Sequence, residues 1–212
     1  MLTFVRKYRT KYFMEITGKK NDQHNLWDKT RQGDTAAVER IYHEYSPQLY
    51  QYGLKFSKNT QIVEDCIQEL FTRILANPKG LGKTDNLRIY LLGAYRNNLF
   101  RLLNKEKKYI SEEVVEQDFE IHFSIEQKMI ESEDEASKLT MLRKGLDNLS
   151  PRQKEAIYLR YTDGLEYTEI AEIMKMSIEA SRNIIYRAIK SLRDEIRNSG
   201  IILLLFLRKD TL

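Results

Sequence analysis

Apolar residues recur through most of this chain at steps of three and four, the spacing that gathers side chains on one side of an α-helix. Ala37, Val38, Ile41, Tyr42 and Tyr45 follow Asp34, whose carboxylate suits an N-cap, and predict a helix over 35–45. Pro47 is expected to interrupt that helix and to start another, in which Leu49, Tyr50, Gly53, Leu54 and Phe56 continue the apolar pattern. The clearest helix is 61–76. Val63, Cys66, Ile67, Leu70, Phe71, Ile74 and Leu75 predict its buried side, while Glu64, Asp65, Gln68, Glu69 and Thr72 fall together on the other. Pro78, Gly80 and Gly82 break the pattern into a loop, after which 87–108 reads as a helix. There Arg88, Arg96, Arg101, Lys105, Lys107 and Lys108 alternate with Tyr90, Tyr95, Phe100 and leucines, a mixture that suits either a packed core or stacking on single-stranded nucleic acid.

Residues 110–135 differ in kind. Glu112, Glu113, Glu116, Asp118, Glu120, Glu126, Glu131, Glu133, Asp134 and Glu135 stand against the single Lys128, which predicts an acidic, mobile linker. A helix over 136–146 then leads to Ser150-Pro151, an N-cap followed by the residue type that loses nothing at the first helical position. Ile157, Leu159 and Tyr161 carry that helix to a break at Gly164. Thr168 opens a helix of about two turns with Ile170, Ala171, Ile173 and Met174 inward. After a turn at Lys175-Met176, Ser177 caps a longer one, expected to turn Ile178, Ile184, Ile185, Ala188, Ile189 and Leu192 inward and Arg182, Asn183, Tyr186, Arg187, Lys190 and Arg193 outward. A short helix, a turn and a longer helix with a cationic, amide-bearing face match a helix-turn-helix, whose second helix enters the DNA major groove. Arg187, Lys190 and Arg193 suit phosphates; Arg182 and Asn183, near the helix start, suit base edges.

Composition narrows the functional class. The 212 residues carry 31% charged side chains but a net charge of only +4, so segregation of charge along the chain says more than its sum. Cys66 is the single cysteine, and His24, His43 and His122 are far apart, so neither a disulfide, a zinc cluster nor a catalytic dyad is expected. No glycine-rich phosphate loop is seen, and no enzyme activity, cofactor or small-molecule substrate is expected. Residues 1–24 read as a basic leader carrying Arg6, Lys7, Arg9 and Lys11 without the apolar run of a signal peptide, which predicts a cytoplasmic chain; Met14 is an alternative start. Residues 199–212 form a tail whose apolar run, Ile201 to Leu207, is far short of the roughly 20 residues that span a bilayer.

Three segments in order carry a resemblance to a known family. Val63-Glu64-Asp65-Cys66-Ile67-Gln68-Glu69-Leu70-Phe71 resembles the helix by which bacterial sigma factors grip the clamp of core RNA polymerase. Tyr90-Leu91-Leu92-Gly93-Ala94-Tyr95-Arg96-Asn97-Asn98-Leu99 resembles the adjoining promoter-melting helix. Leu149-Ser150-Pro151-Arg152-Gln153-Lys154, with Met176-Ser177 through Arg187-Ala188, resembles the domain that reads the minus-thirty-five element. The resemblance is to the extracytoplasmic-function subfamily of the sigma-70 family. It implies an all-α fold of two small helical domains, a region 2 bundle over 25–109 and a region 4 helix-turn-helix over 136–198, joined by the acidic linker.

On this resemblance Glu64, Asp65, Gln68 and Glu69 are implied to bind core polymerase. Asn77, Lys79, Lys83, Asn86, Arg88, Arg96, Asn97, Arg101 and Lys105 are implied to line the melted minus-ten strand, the loop from Asn77 to Asn86 taking an extruded base. Ser177, Glu179, Ser181, Arg182, Asn183, Tyr186, Arg187 and Lys190 are implied to meet the minus-thirty-five element. The implied partners are core RNA polymerase, promoter DNA and an anti-sigma factor, such inhibitors often being membrane-anchored. Ile184 departs from the family where Arg is usual, and Gly93 where a basic residue is common. The alternative is a stand-alone helix-turn-helix regulator, which needs neither the acidic helix face nor the basic, aromatic helix.

Overall fold

The computed structural model describes residues 20–108, 118–121, 140 and 142–198, and among these the regular structure is helical throughout. The chain folds as two compact units, the first holding the residues up to Gln117 and the second most of those from Asp118 on. The residues read as leader up to 19, most of the acidic linker, and the apolar tail lie outside the described residues.

The first unit packs four helices: α1 (Lys20–Arg31), α2 (Thr35–Gly53), α3 (Thr60–Ala76) and α4 (Leu87–Lys108). α1 thus begins inside the span read as leader and buries Leu26 and Trp27. Gly33, at φ +93°, makes the turn that a side chain would strain, and Asp34 caps α2 by accepting from the amides of Ala36 and Ala37 at 2.9 and 3.2 Å.

Pro47 does not break α2, contrary to the sequence expectation. An interior proline costs about 3 kcal/mol. The buried row Val38, Ile41, Tyr45, Leu49 and Tyr52 keeps its three- and four-residue steps across it, and each large side chain so buried returns about 1.5–3 kcal/mol. At the end of α2, Gly53 allows a close crossing: a Cβ there would lie 2.1 Å from the Tyr95 hydroxyl and 2.8 Å from Val63 Cγ1.

Asn59 caps α3, which buries Val63, Cys66, Ile67, Leu70, Phe71 and Ile74 against its neighbours. Leu75, expected on that side, is instead exposed, because it extends the stripe past the packed surface. α4 runs across the others with Leu91, Leu92, Tyr95 and Leu99 buried. Its aromatics serve mainly as core: Tyr95 is inaccessible, Tyr90 packs on Trp27 at 4.9 Å between ring centres, and Phe100 on Phe56 at 5.1 Å.

In the second unit, residues 142–147 are helical, and Ser150 and Gln153 form a reciprocal capping box at the start of α6 (Pro151–Ile157), the 142–147 segment being α5. A wider π turn, Tyr158–Thr162, prolongs α6, and Gly164 at φ +71° ends it. α7 (Tyr167–Met174) begins one residue before the expected Thr168; Lys175 at φ +51° turns the chain into α8 (Ile178–Asn198). The Ser177 hydroxyl accepts from the Ala180 amide at 3.1 Å, as its position predicts. Of the expected mobile linker, residues 118–121 are described, and there Phe119 is buried with its ring 5.6 Å from that of Tyr158.

Candidate nucleic-acid interface

On α3 the side chains of Glu64, Asp65, Gln68 and Thr72 reach solvent on one face, with Gln61 Nε2 donating to Asp65 at 2.7 Å. Glu69 is different. Arg101 donates to both its oxygens, Asn98 Nδ2 donates to it at 3.1 Å, and Arg73 pairs with it from one turn on. Partial burial pushes the Glu69 carboxyl up, but the Asn98 hydrogen bond and the Arg101 and Arg73 charges outweigh it and hold the group below the usual glutamate range. The acidic face is therefore open at Glu64, Asp65 and Gln68 and tied down at Glu69.

The nine residues implied to meet the minus-ten strand divide by their local bonds. Lys79, Lys83 and Lys105 are exposed, and Asn97 is half-buried. Asn77 and Asn86 serve as caps, accepting from the amides of Gly80 at 3.1 Å and Ile89 at 3.3 Å. Arg88 donates to Gln48 Oε1 at 3.2 Å, and Arg101 is held by Glu69. Arg96, expected along the DNA strand, is buried, because its neighbour one turn on is Phe100, over whose ring the guanidinium lies at 4.1 Å. The loop itself is fastened from α1: Trp27 Nε1 donates to the Gly82 carbonyl at 2.9 Å and Arg31 Nε to the Leu81 carbonyl at 3.0 Å. Between this loop, α3 and α4 opens a cavity of about 440 Å³ lined by Leu70, Ile74, Arg73, Asn77, Gly80 and Tyr90 among others.

In the second unit the capping Ser177 and, on α8, Glu179, Arg182, Asn183, Tyr186, Arg187 and Lys190 are exposed to solvent. Ser181, implied to touch DNA, is fully buried and its hydroxyl finds no partner, because it lies one turn from Ile185 on the same inward row as Ala188 and Leu192. Arg193, expected on phosphates, is half-buried. Ile178, expected inward, is exposed; its spacing extends the buried row by one turn beyond where that row packs. Periodicity alone carries no signal for where a stripe loses its packing surface. The preceding turn is braced by Arg160, which donates to the Leu165 carbonyl at 2.9 Å, pairs with Glu166 at 3.0 Å and stacks over Tyr167.

Among the described residues no group of three His, Cys, Asp or Glu is placed to hold a metal, and no helix is long and apolar enough to cross a membrane. Burial pushes the Cys66 thiol up to about 12, which keeps it protonated at neutral pH and a poor nucleophile.

Comparison with known proteins agrees with this layout. Residues 41–109 match the family described as sigma-70 region 2, and residues 139–192 the one described as sigma-70, region 4. The sigma factor BldN of Streptomyces coelicolor is 26% identical over 79% of this chain and 63% of its own length. SigM of Bacillus subtilis is 25% identical over 77% of this chain and 97% of its own. Among solved structures, RpoE of Bartonella quintana, in complex with the anti-sigma factor NepR, superposes with a TM-score of 0.53 at 23% identity, over 75% of this chain and 96% of that one. A stand-alone regulator does not account for a region 2 match across α2, α3 and α4. The chain belongs to the extracytoplasmic-function subfamily of the sigma-70 family.

Proposed function

We propose that the exposed faces divide the work of a promoter-specificity subunit among themselves. The chain is an alternative sigma factor that joins core RNA polymerase and directs promoter recognition, melting and initiation. Glu64, Asp65 and Gln68 on α3 meet the polymerase clamp, with Glu69 setting the edge of that face through its bonds to Asn98 and Arg101. Lys79, Lys83, Asn97 and Lys105 follow the phosphates of the melted minus-ten strand, and the cavity beside Asn77 and Tyr90 receives an extruded base. Arg182 and Asn183 read base edges of the minus-thirty-five element, and Arg187 and Lys190 take its phosphates.

The subunit itself performs no chemistry and works in the cytoplasm alongside the polymerase. An anti-sigma factor holds it inactive, a reading supported by the complex of RpoE of Bartonella quintana with the anti-sigma factor NepR. The observation that carries the proposal is the pairing of an open acidic face on α3 with an open cationic face on α8, within residues that match regions 2 and 4. The test is run-off transcription by the full chain and sigma-free core polymerase on genomic fragments of the source organism. Discrete, promoter-specific transcripts are expected; their absence, together with no core binding in a pull-down, overturns the proposal.

A further inference from the structure

The first turn of α8 exposes a side chain that its amphipathic pattern places inward. Ile178 is 44% exposed, one residue after the capping Ser177 and beside Glu179. Four-residue steps put Ile178, Arg182 and Tyr186 in a single row, so an aliphatic group stands at the head of a row that otherwise carries a cation and a 66% exposed phenol.

A helix-turn-helix meets base edges with the N-terminal residues of its second helix. Tyr186 lies eight residues further on, roughly 12 Å along the axis, toward the flanking backbone. Ile178 is therefore the large apolar side chain placed over the bases, beside the single exposed methyl of Ala180. Of the groups that the major groove displays, all are hydrogen-bond donors or acceptors except the C5-methyl of thymine. An isoleucine, stiff at χ1 because it branches at Cβ, offers a methyl a preformed apolar surface at little cost in rotamer freedom.

We infer that Ile178 is a specificity-determining residue that reads the methyl group of a thymine in the upstream promoter element, an inference that rests on the promoter-binding reading above. The contact adds an apolar requirement at one base pair to the polar readout by Arg182 and Asn183.

The test uses holoenzyme assembled from the full chain and sigma-free core polymerase. Active promoters are first selected from a duplex library randomised across the upstream element. Each thymine of the selected element, on either strand, is then replaced by deoxyuridine, which removes only the methyl. The expected result is one thymine at which this replacement lowers initiation about fourfold, the value of one buried methyl group, with the wild-type chain. At that position Ile178→Ala should initiate equally from thymine and deoxyuridine templates, and Ile178→Val should keep most of the difference. Equal methyl dependence in wild type and Ile178→Ala, no methyl dependence anywhere, or a selected element without thymine overturns this inference alone. Loss of a protein partner by Ile178→Ala, with methyl dependence unchanged, also overturns it and assigns the side chain to a protein contact. If no promoter is selected at all, the promoter-binding reading fails and takes the inference with it.

Discussion

A single guanidinium nitrogen of Arg101 on α4 donates to both carboxylate oxygens of Glu69 on α3, at 2.6 and 2.8 Å. The bond joins a residue implied to bind polymerase to one implied to bind promoter DNA, and Asn98 completes it by donating to Glu69 and accepting from the same arginine. Each charge satisfies the other, so both faces are narrower than the one-dimensional pattern of charge suggests. Part of the acidity of α3 and part of the basicity of α4 hold those helices together.

The first expected consequence concerns stability and pH. Because its partners hold the Glu69 carboxyl below the usual glutamate range, the network stabilises the fold above the unfolded-state value, and that contribution is lost as pH falls through the folded one. Glu69→Gln should therefore cost about 1 kcal/mol or less at pH 7 for this partly exposed group, and nothing once acid has protonated the wild-type carboxyl. Urea unfolding of both proteins at neutral and acid pH checks this. A difference that stays constant with pH would argue against the ion pairs.

Charge reversal separates polymerase binding from folding at the other acidic positions. Glu64→Lys with Asp65→Lys should weaken association with core polymerase at least tenfold, roughly 1.4 kcal/mol, while circular dichroism stays unchanged, because both side chains lie in solvent. Glu69→Lys is a poorer probe, since it sets a third cation beside Arg73 and Arg101. Wild-type affinity in the double reversal would remove the polymerase assignment.

Arg187→Ala should weaken promoter binding by the holoenzyme and lower the slope of log affinity against log salt by about one, the signature of a lost phosphate contact. Core association should not change. A salt slope equal to that of wild type rules out the phosphate role.

Ser181→Ala removes a buried hydroxyl that has no hydrogen-bond partner. Thermal unfolding should show a protein as stable as wild type or more so, by up to about 1–3 kcal/mol, with unaltered promoter selection. Reduced promoter binding at unchanged stability would return Ser181 to the DNA face.

Gly53→Ala should destabilise by about 1–3 kcal/mol, the range for overpacking, because its Cβ meets the Tyr95 hydroxyl and the Val63 side chain. Adding Tyr95→Phe removes the nearer clash and should recover part of the loss; no recovery in denaturant melts would place the strain elsewhere.

The places where sequence reading and structure part company share a cause. The rule for an isolated element ends a helix at Pro47, yet the buried positions on both sides keep one register and packing holds the helix through it. Leu75 and Ile178 continue correct helical stripes beyond the end of the surface that buries the rest. Arg96 and Ser181 belong by residue type on a DNA face and by position in the interior. In each case the packed side of the helix decides against the rule for a residue type or for an isolated element, and for Arg96 and Ser181 that side is marked by the same-helix neighbours Phe100 and Ile185.

The helices other than α1, most of their caps and breaks, the helix-turn-helix and the kinship with sigma factors were legible in the order of residues. Those features depend on groups within a turn or two of one another: Asp34 on Ala36, Ser150 on Gln153, Ser177 on Ala180. Which charges remain available to a partner was settled mainly by the packing of helices, with the pair of Glu69 and Arg73 one turn apart as the local part. Glu69 and Arg101 are 32 residues apart in the chain, and their pairing follows from how α3 and α4 meet, because a charge is neutralised by what lies within a few ångströms of it, whatever the distance along the sequence.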